Sequence, residues 1–179
     1  MSGLHFRPVA EVWPQINRAF KRQSRTIRSL LPAAEVEHMG ATAVPGSITK
    51  GDLDLLVRVP EERFASAVAA LETRYAIHQP ENWTAAYASF ADAPADDPPV
   101  GVQLVVAGSD LDVAFVSIRG LLRSRPDLVE RSNELKRSFE EGDPEEYVMA
   151  KQIFIEGLLR DIEPARFGPE EVFPFGSAR

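Results

Sequence analysis

The feature that most constrains this chain is an acidic strand, Asp52-Leu53-Asp54-Leu55, which follows a turn rich in Gly, Thr and Ser at residues 40–50. Side chains alternate between the two faces of a strand, so the aspartates point to one face and the leucines to the other. The two aspartate Cα atoms lie about 6.6 Å apart, where two unit charges repel by about 2.5 kcal/mol at an effective dielectric constant of about 20. A cation relieves this repulsion, and the turn offers backbone N–H and hydroxyl groups to a phosphate. The pattern therefore predicts a phosphate site beside a Mg²⁺ site.

Length and composition favour a single domain over residues 1–179, long enough to bury its own core. The formal net charge of −7 gives no general reason to expect nucleic acid as a partner. The chain has no cysteine, which excludes disulfides, thiolate catalysis and Cys-based metal sites and fits a reducing compartment. No run approaches the ~18 apolar residues of a membrane span. We therefore expect a cytoplasmic protein without a membrane partner.

Hydrophobic periodicity predicts an order of elements that is typical of an α/β protein. Helices are predicted over 10–31, from Pro60, from Ser109 through Leu122, over about 127–141 and over 144–160. Strands are predicted over about 34–39, 52–59, 75–79, 83–91 and 100–106. Prolines and aspartates between 91 and 99 indicate a loop, and the tail 161–179 is expected to be irregular. This order predicts an α/β fold in which helices flank a sheet, with a helical C-terminal part.

The Gly40-Ala41 pair, separated from the acidic strand by ten residues, resembles the signature of the DNA polymerase beta nucleotidyltransferase superfamily. In that signature a glycine is followed by Gly or Ser, and two carboxylates hold Mg²⁺ ions that bridge substrate oxygens. Ala41 replaces the small polar residue, although Thr42 supplies a hydroxyl beside it. The simpler alternative is an exposed acidic pair without a ligand.

A longer string at 37–46, Glu-His-Met-Gly-Ala-Thr-Ala-Val-Pro-Gly, is similar to the Glu-His-Ile-Gly-Ser-Thr-Ala-Val-Pro-Gly of the GrpB family. Further matches are Trp13-Pro14, Lys50, Arg119, Leu122-Arg123, Asn133-Glu134-Leu135-Lys136, Tyr147 and Lys151. The resemblance covers roughly residues 6–160 and implies a nucleotidyltransferase-like fold with a mixed sheet. The family is described mostly as predicted or uncharacterised. A related domain is fused to dephospho-CoA kinase in some proteins, which suggests nucleotide or CoA-like ligands.

Two departures from the family pattern bear on catalysis. The family usually has Lys-Pro-Ile-Ile-Asp-Ile where this chain has Lys-Gly-Asp-Leu-Asp-Leu at 50–55, so the second aspartate matches the family and the first is an addition. On the apolar strand, Gln103 stands where a nucleotidyltransferase normally has a third carboxylate. Glutamine is neither a general base nor an anionic ligand. The next acids, Asp110 and Asp112, fall on the following predicted helix.

The pattern and the resemblance together give a set of candidate site residues. Asp52 and Asp54 are predicted to bind metal and to carry catalysis. The candidates for phosphate or nucleotide binding are His38, Gly40, Ala41, Thr42, Lys50, Arg119 and Lys151, with Lys136 as a further cation. Each has a structural alternative, because strand histidines are often structural and helix cations are often solvated. Trp13, Phe115 and Phe154 are expected in the core.

Three functions follow from these residues. The first is Mg²⁺-dependent transfer of a nucleotidyl group from a nucleoside triphosphate to an unknown acceptor. The second is a non-catalytic module that binds a nucleotide, a CoA-like ligand or another phosphate-bearing small molecule without the third carboxylate. The third is a structural or interaction protein in which the acidic pair is incidental.

Overall fold

The computed structural model of the protein describes residues 4–93 and 97–168. Strands and helices follow one another in mixed order through these two ranges. The strands are β1 (Arg7–Pro8), β2 (Glu35–Met39), β3 (Ile48–Thr49), β4 (Leu53–Val59), β5 (Ala76–His78), β6 (Tyr87–Asp92) and β7 (Val100–Val106). The α-helices are α1 (Val9–Leu30), α2 (Phe64–Glu72), α3 (Asp110–Ser124), α4 (Pro126–Ser138) and α5 (Pro144–Ile162). Single turns of 3₁₀ helix lie at Ala41–Ala43, Glu61–Arg63 and Pro80–Asn82.

Five strands form one mixed sheet in the order β2-β4-β7-β6-β5. β4 and β7 are parallel to each other, and the remaining neighbours are antiparallel. The sequences of β4 and β7 are mostly apolar because helices cover both faces of these inner strands. β1 and β3 pair separately, as a short antiparallel ribbon next to the turn that precedes β4.

Helices on both faces of the sheet give the protein three layers. α1 and α2 cover one face and form the largest core with it, including Ile16, Ile27, Leu71, Leu55, Phe90 and Val102. On the other face, α3 packs against Met39, Leu56, Tyr87 and Val105. A further cluster joins α3, α4 and α5 through Ala114, Ile118, Leu128, Ile155, Leu158 and Leu159.

The alternation along β4 decides which layer the aspartates face. Leu53, Leu55 and Val57 belong to the core with α1, whereas Leu56 belongs to the cluster with α3. Asp54 is two residues from Leu56 and therefore faces the layer formed by α3, α4 and α5. The sequence pattern thus places the acidic pair between the sheet and the three C-terminal helices.

The predicted fold class is confirmed, since the structure is a mixed α/β sheet flanked by helices with a helical C-terminal part. The helix predicted over 10–31 and the strands predicted over 34–39 and 100–106 are present to within one residue at each end. The ribbon of β1 and β3 is an addition, because two-residue strands leave no period in a sequence.

The strand predicted over 83–91 begins only at Tyr87, so its first part is a correction. Residues 80–86 form a turn instead, in which the indole Nε1 of Trp83 donates a hydrogen bond to the His78 carbonyl at 3.0 Å. The Trp83 ring packs on Phe90 with its centroid at 5.2 Å. The apolar residues that suggested a strand therefore anchor a turn.

Two C-terminal boundaries also differ from the prediction. α4 ends at Ser138 rather than near 141, because the following residues form tight turns and Glu141 has a φ of +61°. α5 extends to Ile162, and turns follow in which Phe167 is buried. The rest of the predicted irregular tail, 169–179, lies outside the described residues. Within the described ranges, no helix has the length and apolar character needed to cross a bilayer.

Candidate functional site

A cavity of about 150 Å³ lies between the acidic face of the sheet and helices α3, α4 and α5. The turn after β2 and the strands supply one wall, which includes Gly40, Ala41, Ser47, Thr49, Lys50, Asp52, Asp54 and Gln103. The helices supply the other wall, which includes Phe115, Ile118, Arg119, Leu122, Ser132, Leu135, Lys136, Tyr147, Lys151, Phe154 and Ile155. The predicted metal ligands and several predicted phosphate ligands therefore meet in one place.

Gly40 allows the Asp54 carboxylate to lie directly against the turn. The antiparallel register of β2 and β4 places Met39 opposite Asp54, so the turn begins beside this side chain. A Cβ atom on Gly40 would lie 2.1 Å from the Asp54 Oδ2 atom. Gly40 also has a φ of +71°, in the region that favours glycine. Both observations explain why the turn opens with glycine.

Two arginines of α3 hold this turn in place. The Arg119 guanidinium donates to the His38 carbonyl at 2.9 Å and pairs with the Glu37 carboxylate. One turn further along the helix, Arg123 donates to the Ala43 carbonyl at 2.8 Å. Arg119 lines the cavity as predicted for a phosphate ligand, but its guanidinium already binds the protein.

Asn133 and Lys136 of α4 hold the second half of the turn. The Asn133 side chain accepts from the Ile48 N–H at 2.9 Å and donates to the Gly46 carbonyl at 2.9 Å. The Lys136 Nζ atom donates to the Ile48 carbonyl at 2.7 Å. These bonds satisfy backbone groups of the turn and of β3, which accounts for the buried polar residues on α4.

His38 lies on the opposite side of the sheet from the cavity. Its ring stacks between Trp13 and Phe20 of α1, with centroid distances of 5.9 and 5.3 Å. The prediction that Trp13 lies in the core is wrong: the side chain is 44% exposed, because it covers the outer side of this stack. Burial, followed by the charges of Arg123 and Arg119, lowers the pKa of His38 to about 4.

The Thr42 hydroxyl is occupied within the turn. It donates to the Asp52 carbonyl at 3.1 Å and lies 2.9 Å from the Nε2 atom of His38. Because the hydroxyl proton goes to the carbonyl, we assign the second bond to a proton on Nε2 of a neutral imidazole. Neither His38 nor Thr42 lines the cavity, so the structure places them behind the turn rather than among ligand-contacting residues.

The two aspartates sit at one end of the cavity among cations. Lys50 Nζ lies 3.4 Å from an oxygen of Asp52. Asp54 is more enclosed, and burial raises its pKa to about 6 against the opposing charge of Lys151, while Asp52 raises it further. The pair therefore presents carboxylate oxygens to the cavity, with lysines on more than one side.

Two lysines from the C-terminal helices complete the charged end of the cavity. Burial lowers the pKa of Lys151, and the Asp54 carboxylate opposes this shift. Burial and the neighbouring Lys151 lower the pKa of Lys136 to about 7. An anion between these lysines would favour their protonated forms. The cavity therefore has the charge distribution of a site for an anionic ligand.

Gln103 occupies the position on β7 where a third acid was considered. It lines the cavity, and its Oε1 atom accepts a hydrogen bond from the Tyr87 hydroxyl at 2.5 Å. Asp112 lies on α3 as predicted. Its carboxylate accepts hydrogen bonds from Nε and from a terminal nitrogen of Arg58, at 2.7 and 2.9 Å. The acids that line the cavity are thus Asp52 and Asp54 alone among the residues that the structure describes.

The donor set fits a Mg²⁺ ion that arrives with a phosphate ligand. Across residues 4–93 and 97–168, no cluster of three or more His, Asp or Glu side chains could form an all-protein metal centre. Mg²⁺ is, however, commonly bound by one or two carboxylates together with substrate phosphates and water. Two carboxylates with a shared cavity and a close glycine meet that requirement.

Several lining residues were not predicted as part of a site. The sequence predicts Phe115 and Phe154 in the core, but both are half-buried and line the cavity. Tyr147 is buried at its edge, where burial and the charges of Asp52 and Asp54 raise the pKa of its hydroxyl. The match of Tyr147 to the family spacing is the sequence feature that could have placed it in the site. The phenylalanines offer no such feature, because apolar residues on a helix predict a core.

Gly51, which stands where the family pattern that the sequence resembles has proline, adopts a φ of +103°. Proline fixes φ near about −65° and is excluded from this conformation. The Gly51 N–H donates to the Thr49 hydroxyl at 3.0 Å, which closes the turn directly before Asp52. A proline at position 51 would therefore require a different turn before the acidic strand.

Three comparisons with known proteins agree on one family. The model of the GrpB protein family matches residues 8–161. A UPF0157 protein of Vibrio cholerae is 33% identical over 158 residues, which cover 88% of this chain and 82% of that protein. The crystal structure of the conserved protein GrpB from Enterococcus faecalis superposes with a TM-score of 0.68 at 20% identity, covering 86% of this chain and 93% of that one.

A more distant structure has the same fold in an enzyme. The Cid1 poly(U) polymerase, solved with MgGTP bound, superposes with a TM-score of 0.50 at 13% identity. The match covers 73% of this chain and 42% of Cid1. At this identity the likeness shows the fold alone, and the fold of this chain is nucleotidyltransferase-like.

Substitution of Gly40 by alanine tests the close approach of Asp54. We expect Gly40→Ala to lower the free energy of unfolding by about 2 kcal/mol or more, because it adds both a clash and a strained φ. Chemical denaturation measures the difference. Gly120→Ala is the matched control, since no heavy atom lies within 4 Å of its added Cβ and the residue is in α3, where alanine is favoured. Equal stability of Gly40→Ala and wild type would contradict the geometry.

The lowered pKa of His38 predicts a pH dependence of stability. The unfolded chain binds a proton at His38 below about pH 6.5, whereas the folded chain does so only near its pKa of about 4. The contribution of His38 to stability is thus present above pH 6.5 and lost as the pH falls towards 4. Unfolding free energies measured between pH 7 and 4.5 should fall less steeply in His38→Gln than in wild type. A wild-type slope in His38→Gln would refute the assignment.

Proposed function

The chain belongs to the GrpB family, and on that premise we propose that its cavity binds a nucleoside triphosphate with Mg²⁺ and transfers the nucleotidyl group to an acceptor. The observation that carries the proposal is the contact between Gly40 and the Asp54 carboxylate, because it brings the turn and a carboxylate to the same point. The nucleotidyltransferase-like fold agrees with this use of the site.

Each residue at the charged end has a part in this proposal. Asp52 and Asp54 would hold Mg²⁺, which polarises phosphate oxygens and stabilises charge when it is bound. The turn at Gly40 and Ala41 has no bulky side chain, so a phosphate can approach its backbone closely. Lys50, Lys136 and Lys151 add positive charge around the phosphates.

Gln103 favours a second candidate, a module that binds nucleotide or a CoA-like ligand without turnover. An amide cannot accept the proton of an attacking hydroxyl. The Tyr87 hydroxyl bond fixes this amide, and β7 itself contains no carboxylate. Under the first candidate, the acceptor must instead lose its proton to a carboxylate of the pair or to water.

Thermal unfolding with and without Mg²⁺ tests the proposal. The wild-type protein should be stabilised by nucleoside triphosphates in the presence of Mg²⁺, by about 2.7 kcal/mol at a hundredfold excess over Kd. Asp52→Asn and Asp54→Asn should lose the Mg²⁺-dependent part of this shift. Asp127→Asn is the control, because that exposed carboxylate pairs with Arg125 away from the cavity.

Release of pyrophosphate then separates the two candidates. Turnover in wild type, lost in Asp54→Asn, supports nucleotidyl transfer, whereas a stable complex without pyrophosphate release supports the binding module. The absence of a shift with any nucleotide, CoA compound or inorganic triphosphate would contradict both candidates.

A further inference from the structure

The positive charges of this chain are unevenly distributed, with a concentration on α1. Five of the 20 Lys and Arg residues lie between positions 18 and 28, and no Asp or Glu lies among them. These side chains, named here the basic row, are all exposed: Arg18, Lys21, Arg22, Arg25 and Arg28. The net charge of −7 therefore belongs to an acidic molecule that carries a strongly basic surface.

The spacing of the basic row places its members on the outer side of α1. Arg18, Lys21, Arg25 and Arg28 are separated by three or four residues, so successive side chains lie about 4.5 to 6 Å apart along the helix axis. The apolar side of the same helix is buried in the core with the sheet, through Val12, Ile16, Ala19 and Ile27. The basic row thus forms a line of positive charge about 15 Å long.

The carboxylates of the protein compensate little of this charge. Like charges four residues apart, such as Arg18 with Arg22 and Lys21 with Arg25, destabilise a helix. Arg22 pairs with Asp97, but no carboxylate among the described residues lies within 4 Å of a charged nitrogen of the other four. The acids of the neighbouring strand β2 pair instead with arginines of β4 and α3. A bound polyanion would supply the compensation.

Aromatic surface lies on the same flank of α1. A groove beside the basic row is lined by Phe20 and Ser24 together with Lys21, Arg25 and Arg28. The Phe20 ring stacks on His38, and His38 stacks in turn on Trp13. Trp13 is 44% exposed, so this aromatic stack ends in an accessible indole.

Membrane surfaces and nucleic acids are the two polyanions that commonly bind basic helices. A helix that binds a bilayer inserts its apolar side among the lipids, but the apolar side of α1 is buried against the sheet. Single-stranded nucleic acid instead requires cations that follow its phosphates and aromatic rings on which its bases stack. The basic row and Trp13 provide both, so the observations favour nucleic acid.

We propose that the basic row of α1 binds the phosphates of single-stranded nucleic acid and that Trp13 stacks on one of its bases. The cations position the strand without reading its sequence, because phosphates are the same at every nucleotide. The basic row lies across the sheet from the cavity that α3, α4 and α5 enclose. This inference therefore does not depend on the function proposed for the cavity.

Fluorescence anisotropy of a labelled single-stranded oligonucleotide of mixed sequence, titrated with the full-length protein at several salt concentrations, tests the inference. The logarithm of the affinity should fall with the logarithm of the salt concentration by about 0.7 for each phosphate contact, or a slope of about −3 for four or five contacts. Arg25→Gln should make this slope shallower by about 0.7, whereas Arg25→Lys should retain it. Arg137→Gln is the matched control, because it removes an exposed arginine from α4, on the other side of the sheet.

The outcomes distinguish the basic row from the charge of the whole protein and from the cavity. A wild-type slope in Arg25→Gln, or an equal change in Arg137→Gln, would refute the assignment to the basic row. Equally tight binding of polyglutamate or of vesicles with anionic lipid would refute nucleic acid as the partner. The absence of oligonucleotide binding at low salt would refute the inference and leave the cavity proposal intact. Asp54→Asn should bind the oligonucleotide as tightly as wild type.

Substitution of Trp13 separates stacking from charge. Trp13→Leu should weaken binding of the single strand by about fivefold or more, with an unchanged salt slope, because stacking on a base releases no counterion. Its affinity for a duplex of the same sequence should equal that of wild type, since paired bases offer no free face to the indole. Equal weakening for single strand and duplex, with wild-type thermal unfolding, would overturn the role of Trp13.

Discussion

The contact between Gly40 and Asp54 is the constraint on which the site depends. The β2–β4 register brings Asp54 beside the first residue of the turn, and only a residue without Cβ leaves room for its carboxylate. The turn is held from the side of the helices by hydrogen bonds from Arg119, Arg123 and Asn133. The C-terminal helices therefore both enclose the cavity and hold its opposite wall in shape.

The charges of the cavity explain how acids and lysines share a small space. Asp54 keeps an unusually high pKa because it is enclosed, and Lys151 opposes that shift. Lysines alone would suit a bare phosphate, and acids alone would suit a free metal ion. The combination of lysines and acids suits a phosphate ligand that is bound together with a metal ion. Gln103, held by the Tyr87 hydroxyl, is not an acid, so turnover is a question separate from ligand binding.

The sequence predicted the parts of this site that depend on local pattern. Alternation placed Asp52 and Asp54 on one face, and the glycine-rich string identified the turn and the fold. Asn133 could not be assigned its role, because its partners Gly46 and Ile48 are more than eighty residues away in the chain. Phe154 was expected in the core, because periodicity identifies an apolar helix face but not a cavity left between helices.

Crystallographic anomalous scattering from Mn²⁺, with the protein crystallised in the presence of a non-hydrolysable nucleoside triphosphate, tests the central claim most directly. The account predicts one or more peaks at bonding distance from the carboxylates of Asp52 and Asp54, with phosphate density in the cavity beside these carboxylates and the turn at Gly40 and Ala41. A nucleotide held in the cavity with no manganese at these carboxylates, or manganese bound elsewhere on the chain, would contradict it.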